Sequence, residues 1–350
     1  GANNTSAYKT TVTGGYVPGF TEELTLDNFL DHNDHKITSP YINKQNAARP
    51  ATQAEVIWSD VSGIVTNATV TGSGQSSFLE FTVNKNQLVN GNAVIAVKNA
   101  LGTVMWSWHL WFTPKSSLDK IAMTSAGQTY NFTSDNLGWK YTSWWGGTKD
   151  RTVVVKLEQQ AEVGTKKEAT VTLTQKKGKD ERIGYGNLYQ WGRKDPFWPG
   201  MDGLTASENK FDGGISLAES VQNPKMMGRP RRLEHALGSR ATNFGSTWDW
   251  NNNPGYTNSY LNLWDANNET GYGYTGAFVK TIYDPSPAGF HVPRTNQLSK
   301  VGNDKYVVSP KMGYLDPDRK DEGLQYPGIG YYWTSEKTFI NYNGTYAAFS

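Results

Sequence analysis

The chain of 350 residues contains no cysteine. Without thiols it has no cysteine nucleophile, no zinc–thiolate or iron–sulfur ligands and no disulfide bonds. Its domains must therefore be stabilised by hydrophobic cores. The length predicts two or three domains, each large enough to bury such a core.

The chain also has little net charge and no long apolar run. Its 34 basic residues nearly cancel its 32 acidic ones, so no strong field is available to attract nucleic acid. The richest apolar run, residues 104–112, is interrupted by Ser107 and His109 and is too short to span a membrane. No signal peptide is visible, and the start at Gly1 indicates that the natural N-terminus lies upstream. Membrane attachment is therefore expected only through a lipid anchor outside this sequence.

Glycine and aromatic residues are abundant instead. The chain has 36 Gly, 13 Trp, 19 Tyr and 13 Phe, with only 19% charged residues, a composition that favours β-rich domains with many turns. Short β-branched or aromatic runs separated by Gly, Asn and Ser predict strands within residues 56–112 and again within 128–175. Over residues 169–175, threonine alternates with apolar residues, which predicts a half-buried antiparallel strand.

These patterns predict a domain order. Residues 1–50 are polar and rich in turn formers, which predicts a loop-rich N-terminal extension. Residues 51–115 are expected to form one β-sandwich and residues 116–180 a second. The charged segment 176–182 predicts a solvated linker before a C-terminal domain over residues 183–350.

Within the C-terminal domain, helical patterns are few. Residues 231–237 and 295–301 are the convincing helical stretches, and Thr295 is placed to cap the second one. The remaining sequence is rich in turns and aromatic residues, which predicts a mixed α+β domain with long irregular loops.

Two long motifs in this domain connect it to a known family. They are YGNLYQWGRKDPF at residues 185–197 and KTIYDPSPAGFHVP at residues 280–293, with VQNP, WDW, LW and GYYWTS in order between and after them. Together they resemble the FISUMP family, a C-type-lectin-like module of surface and fimbrial-tip proteins of gut anaerobes. The resemblance implies a C-type-lectin-like fold for residues 183–350 and a location on the bacterial cell surface or outer membrane.

The second predicted sandwich resembles the BACON domain, an immunoglobulin-like module of gut bacterial glycan-handling proteins. The resemblance covers residues 119–178 and lies in TSDNLGWKY at 133–141, the pair Trp144 and Trp145, and the closing run ATVTLTQ at 169–175. The expected fold class is therefore mainly β, with tandem immunoglobulin-like β-sandwiches followed by a C-type-lectin-like α+β domain.

No catalytic motif is apparent. The chain has no Gly-x-Ser-x-Gly elbow, no His-Glu-x-x-His and no phosphate-binding glycine loop before a helix. Formylglycine-generating enzymes share the lectin-like fold, but they depend on paired cysteines, which this chain lacks. We therefore expect no catalytic residues, no cofactor and no enzyme activity.

Metal binding is not expected either. The run DHNDH at residues 31–35 lacks further ligands at structural spacing. The run WNN at 250–252 only approximates the Trp-Asn-Asp signature of calcium-dependent lectins. The acidic run at 316–323 contains Arg319 and Lys320, which would repel a cation, whereas calcium needs six or more converging oxygens.

The candidate ligand residues are aromatic and polar residues in stretches rich in Gly, Asn and Pro. An exposed ring covers the apolar face of a sugar, while amides and carboxylates bind its hydroxyls. The candidates are Trp248, Trp250, Asn251, Asn252, Asp316, Asp318 and Tyr326. Rings inside the family motifs, Trp191, Tyr283, Phe290, Tyr332 and Trp333, are expected in the core instead.

The sequence therefore predicts a non-enzymatic cell-surface adhesion protein, a fimbrial tip or stalk component. Its partner would be a host or bacterial glycan or a surface protein, bound by the C-terminal domain, with the sandwiches as spacers. The alternative is a structural pilus subunit without an external ligand, in which residues 1–50 engage another subunit by strand addition.

Overall fold

The fold is known from a computed structural model, which describes part of the chain. The described residues are 29–125, 127–141, 150–159, 167–176, 184–187, 189, 192–197, 215–226, 230–231, 264–266, 278–294, 297, 314–315, 324–325, 330–337 and 344–349. Strands predominate among them, and the helices are few and short. This confirms the predicted mainly β fold.

The first group of strands forms two antiparallel sheets. In one sheet β1 (Ala51–Ser59) and β5 (Val104–Phe112) flank a central β4 (Gly91–Asn99). In the other, β2 (Val65–Thr71) pairs with β3 (Phe78–Val83). The β-branched and aromatic runs within residues 56–112 predicted these strands.

The two sheets pack on a shared apolar core, so they form a β-sandwich. The buried members of this core are Ile64, Val65, Ala93 and Ile95, with Leu79, Leu110 and Phe112 packed against them. The central strand β4 is buried on both of its faces, although only one face meets β2 and β3. A second layer must therefore cover the other face of this sheet.

Three further strand pairs follow. β6 (Lys120–Ser125) pairs with β7 (Gln128–Thr133), and β9 (Arg151–Gln159) pairs with β10 (Lys167–Gln175), each antiparallel. The short β8 (Lys140–Tyr141) pairs with β11 (Gly184–Tyr185). Strands β7 to β10 were predicted from sequence, whereas β6 was not.

The predicted half-burial of β10 is wrong. Its antiparallel pairing is present, but every residue of the strand is exposed, with Val171 at 44% and Leu173 at 57%. The apolar side chains of β10 and β9 do share one face, because Leu173 pairs with Val153. A hairpin of only two strands supplies no second layer for that face, and no described residue of the same unit supplies one.

The remaining elements are short. The helices are α1 (Ile42–Gln45) and α2 (Leu217–Gln222). The strands are β12 (Ile215–Ser216), parallel to β13 (Pro230–Arg231), and two antiparallel pairs, β14 (Tyr314–Leu315) with β15 (Leu324–Gln325) and β16 (Gly330–Lys337) with β17 (Gly344–Phe349).

The predicted helices of the C-terminal part are only partly testable. Arg231, the first residue of the helix predicted over 231–237, lies in the strand β13 instead, where it pairs with Ser216. The rest of that stretch and most of 295–301 lie outside the described residues. Helix α2 was not predicted, because it is only six residues long.

The chain divides into two compact units. One unit is Trp139–Tyr185, and the other combines Gly1–Gly138 with Gly186–Ser350. The larger unit has a core whose buried members are Phe29, Leu30, Ile37, Leu217, Val221, Trp264, Tyr283 and Val292. Residues from the predicted N-terminal extension, Phe29, Leu30 and Ile37, therefore share this core with residues of the predicted C-terminal domain. The predicted boundaries themselves stay predictions.

The linker predicted over residues 176–182 stays a prediction, since residues 177–183 lie outside the described ones. We expect trypsin to cut the native protein preferentially between Lys176 and Arg182, because a charged, solvated segment exposes its backbone. Mass spectrometry of the early fragments checks this. A protected fragment that spans the segment, with the first cuts elsewhere, would contradict the assignment.

Candidate functional site

The predicted ligand residues all lie outside the described part of the chain. These are Trp248, Trp250, Asn251, Asn252, Asp316, Asp318 and Tyr326. Their position in sequence relative to the described strands is nevertheless defined. Asp316 follows β14 directly and Tyr326 follows β15 directly, and these two strands pair with each other.

Among the aromatic residues predicted to be core, Tyr283 is confirmed. It is 1% exposed, and its ring contacts those of Phe29 and Trp106 edge-on at centroid distances of 5.1 and 5.6 Å. Phe290 is half-buried. Trp191 and the side chains of Tyr332 and Trp333 lie outside the described part of the structure.

The acidic and histidine-rich loop at residues 31–35 is a structural turn. The carboxylate of Asp31 accepts hydrogen bonds from the backbone N–H groups of Asn33 and His35 at 2.9 and 3.1 Å. His32 is buried, and its carbonyl accepts a hydrogen bond from the side chain of Gln222, the last residue of helix α2. Within the described residues no group of His, Asp and Glu side chains could hold a metal ion.

Interacting polar and charged side chains are concentrated where the β1–β4–β5 sheet meets the motif at 185–197, on the sheet face that β2 and β3 do not cover. We call this set of contacts the β5 network, and it consists of Asp60, Asn92, Ser107, His109, Tyr189, Lys194 and Asp195. Alternation along β5 places Ser107 and His109 on the face opposite Leu110. The network covers the face of β4 and β5 that β2 and β3 leave open.

One part of the β5 network is a buried ion pair. Lys194 Nζ lies 2.6 Å from Asp195 Oδ2, and the two side chains are 8% and 1% exposed. The same ammonium donates to the carbonyl and the hydroxyl of Ser107, and the hydroxyl donates to Asp195 Oδ2 at 2.8 Å. The ring of Trp106 lies 4.6 Å from Lys194 Nζ, close enough for a cation–π contact.

The ion pair offsets the cost of burying its charges. Burial lowers the pKa of Lys194, and the nearby carboxylate of Asp195 opposes that shift. Asp195 Oδ1 has no hydrogen-bond partner among the described residues. Removal of either charge would leave the other buried without its partner, which makes the pair sensitive to substitution.

The second part of the β5 network is a hydrogen-bonded relay, formed by Tyr189, His109, Asn92 and Asp60. Asn92 Nδ2 donates to Asp60 Oδ2 at 3.0 Å and to the carbonyl of Gly138 at 2.9 Å. Because both of those partners only accept, Asn92 Oδ1 must face His109 Nε2, which lies 2.9 Å away. His109 Nε2 therefore carries the proton.

The other ring nitrogen of His109 then has to be an acceptor. Tyr189 Oη lies 3.2 Å from His109 Nδ1, so the hydroxyl donates to the neutral imidazole. Burial lowers the pKa of His109 to about 4, with the charge of Asp195 acting weakly in the other direction. Burial raises the pKa of Tyr189 well above its ordinary value, and Asp195 adds to that effect.

Arg193 in the same motif binds the end of helix α2. Its guanidinium donates to the carbonyls of Asn223 and Met226 at 3.0 and 2.8 Å. Burial lowers the pKa of Arg193 to about 10, which leaves it charged at neutral pH. Its carbonyl accepts from the indole N–H of Trp264 at 3.2 Å. A positive side chain at these carbonyls complements the C-terminal end of a helix.

The second family motif forms a turn organised by Asp284. Its carboxylate accepts from the backbone N–H groups of Ser286 and Val292 at 2.8 and 3.1 Å and pairs with Lys280 at 2.8 Å. Nearby, Arg294 pairs with the buried Asp265 at 3.2 Å. The polar residues of this motif therefore organise the backbone of the turn.

The β5 network contains components of catalytic sites, but its geometry favours a structural role. A serine beside a lysine is the composition of a nucleophile–base pair. Here the ammonium of Lys194 is bound to a carboxylate, and Ser107 is 2% exposed, so neither reaches a substrate. The arrangement fastens one segment of the chain to another.

Sequence reasoning missed the β5 network. The motif at 185–197 was assigned to the fold as a whole, with burial expected for Trp191 only. The available signal was the consecutive run of Arg193, Lys194 and Asp195 between Gly192 and Pro196, because charged residues in a compact turn are often paired. Nothing local in the sequence identifies Ser107, 87 residues earlier, as the partner of Lys194.

Comparisons with known proteins identified no relative of this chain. No family model matches the chain, and neither the curated proteins nor the solved structures give a significant match. No helix among the described residues is long and apolar enough to cross a membrane.

Proposed function

We propose that this chain is a non-enzymatic adhesion protein of a bacterial cell surface or outer membrane, a fimbrial tip or stalk component. In this proposal, tandem immunoglobulin-like sandwiches precede a C-type-lectin-like C-terminal region, which binds a glycan or a surface protein. The proposal rests on the motifs that resemble the FISUMP family and on the roles of their polar residues in the structure.

One observation carries the assignment of the ligand site to the loops. Arg193, Lys194, Asp195 and Asp284, four charged residues of the two motifs, are buried and bound to other groups of the protein. Side chains used in this way are not available to a ligand. Recognition would then fall to loops carried by the rigid scaffold, such as residues 248–252 and 316–326.

The strand-addition alternative finds less support in the described sheet. At the edge strand β1, Asn43 binds both the N–H and the carbonyl of Ala51, at 2.6 and 3.1 Å. At the other edge, β5, Lys194 and Asn90 bind the carbonyls of Ser107 and Phe112. Side chains that occupy edge groups protect a sheet from pairing with another strand.

Binding of the full chain to a glycan array, followed by titration of any hit, tests the proposal. We expect Trp250→Ala to weaken binding at least about tenfold, equivalent to about 1.4 kcal/mol, with the fold intact. Trp108→Ala is the matched control, since Trp108 is 37% exposed on β5 and lies outside the proposed site. Its loss should leave binding unchanged.

Two results would contradict this assignment. One is an unchanged affinity of the Trp250→Ala variant. The other is a variant that unfolds while the molecules that remain folded bind normally. By contrast, we expect Trp333→Ala, in strand β16, to destabilise the protein by roughly 3–5 kcal/mol as a core truncation. An absence of array hits together with robust self-assembly would favour the structural pilus subunit.

A further inference from the structure

The relay from Tyr189 to Asp60 connects the second face of the sandwich to the C-terminal part of the larger unit. Its central member, His109, lies on β5 and accepts a hydrogen bond from Tyr189 only while its imidazole is neutral. Its other nitrogen is committed to Asn92 on β4, which in turn is held by Asp60. A proton added at His109 Nδ1 therefore occupies the atom that accepts the hydrogen bond from Tyr189, at the contact between β5 and the C-terminal part.

We propose that this relay is an acid-sensitive latch, in which protonation of His109 releases Tyr189 and residues 192–197 from β5 while the β-sandwich stays folded. The proposal concerns a conformational device and is independent of the ligand.

The charges around His109 determine how it responds to acid. The 189–197 segment presents Tyr189, Arg193, Lys194 and Asp195, while Asp60 lies beyond Asn92, and helix α2, packed near β5, carries Glu219. The carboxylate of Asp195, whose charge acts on His109, is already engaged by Lys194 and Ser107. An imidazolium would thus add a positive charge to a buried site in which this carboxylate is already paired.

The release is expected to be local because the two sides of the sheet differ. The apolar core on the side of β2 and β3 has Ile64, Val65, Ala93 and Ile95 as its buried members, none of which titrates. The relay and the ion pair lie on the other side, between β5 and the 189–197 segment. Acid therefore acts on one face of the sheet and leaves the other unaffected.

The direction of the pKa shift agrees with this geometry. Burial holds the pKa of His109 at about 4, below its ordinary value of about 6.5. Between these pH values His109 binds a proton when the contact with Tyr189 is open, but not when it is closed. The closed state is therefore fully favoured above pH 6.5 and progressively weakened as the pH falls towards 4.

Hydrogen exchange of the full chain, corrected for the intrinsic pH dependence of exchange, tests the latch. The peptides to compare cover residues 184–197 and 91–99. From pH 6.5 to pH 4 we expect protection of the first peptide to fall at least about tenfold, while the second stays protected. Each pH unit within this window can change the opening equilibrium by up to about tenfold.

Two substitutions isolate His109. In His109→Gln the side-chain amide can donate to Asn92 and accept from Tyr189, but it does not titrate. This variant should lose the acid-dependent opening, whereas His35→Gln, which changes an exposed histidine, should retain it. The same acid response in His109→Gln, or simultaneous loss of protection in both peptides, would overturn the proposal.

A measurement on the unchanged protein covers the case in which His109→Gln does not fold. Nuclear magnetic resonance titration of the His109 ring gives the midpoint of its protonation directly. The latch requires this midpoint to coincide with the midpoint of opening at residues 184–197. Two clearly different midpoints would overturn it.

Discussion

A fragment that begins at residue 183 is expected to lack a cooperative folded state. Three of the eight buried members of the larger core, Phe29, Leu30 and Ile37, precede this point. The fragment also loses Ser107, so the charges of Lys194 and Asp195 keep each other but lose the groups that complete their hydrogen bonds. Urea denaturation followed by circular dichroism measures the outcome.

The matched control for this fragment is a chain that begins at residue 29. It keeps every described contact of the larger unit and should unfold cooperatively. A fragment 183–350 that unfolds in one transition, with a free energy of unfolding similar to that of the full chain, would show that the C-terminal part is independent of the sandwich.

Replacement of Lys194 by methionine is expected to lower the free energy of unfolding by about 3–5 kcal/mol. The change removes the partner of Asp195, which is 1% exposed, and leaves a carboxylate buried without its counter-ion. Thermal or urea unfolding of the full chain measures the loss. Lys176→Met is the control, because Lys176 is 80% exposed in its pair with Asp150 and should cost at most about 1 kcal/mol.

A double substitution distinguishes the loss of the ion pair from the cost of burying one charge without its partner. In Lys194→Met combined with Asp195→Leu, both charges are gone and apolar side chains fill the site. We expect this variant to be clearly more stable than Lys194→Met alone, because a buried pair is costly mainly when it is broken. A cost below about 1 kcal/mol for Lys194→Met would contradict the structural role of the β5 network.

Local sequence patterns predicted the strands of the sandwich well. The run from Val104 to Phe112 alternates side chains between two faces, and both faces proved to be covered. For β10 the same reasoning predicted antiparallel pairing correctly but burial wrongly. Alternation shows which residues share a face, but the presence of a second layer depends on distant parts of the chain.

Local sequence patterns could not predict the contacts between segments that are distant in sequence. His109 lies within the predicted strand β5, yet its partner Tyr189 is 80 residues away and nothing local indicates the pairing. Helix α2 was not predicted because its six residues are too few to show a helical periodicity. Its buried residues, Leu217 and Val221, contact a core that includes Phe29 from the opposite end of the chain.

The claim that the motif at 185–197 fastens the C-terminal part to the sandwich is tested most directly by native-state hydrogen exchange of the full chain at pH 7. At pH 7, where the latch is closed, we expect amides of β4, in Gly91–Asn99, and amides of residues 192–197 to open with free energies within about 1 kcal/mol of each other. If residues 192–197 instead open several kcal/mol more easily than β4, the C-terminal part is only loosely attached and the account is wrong.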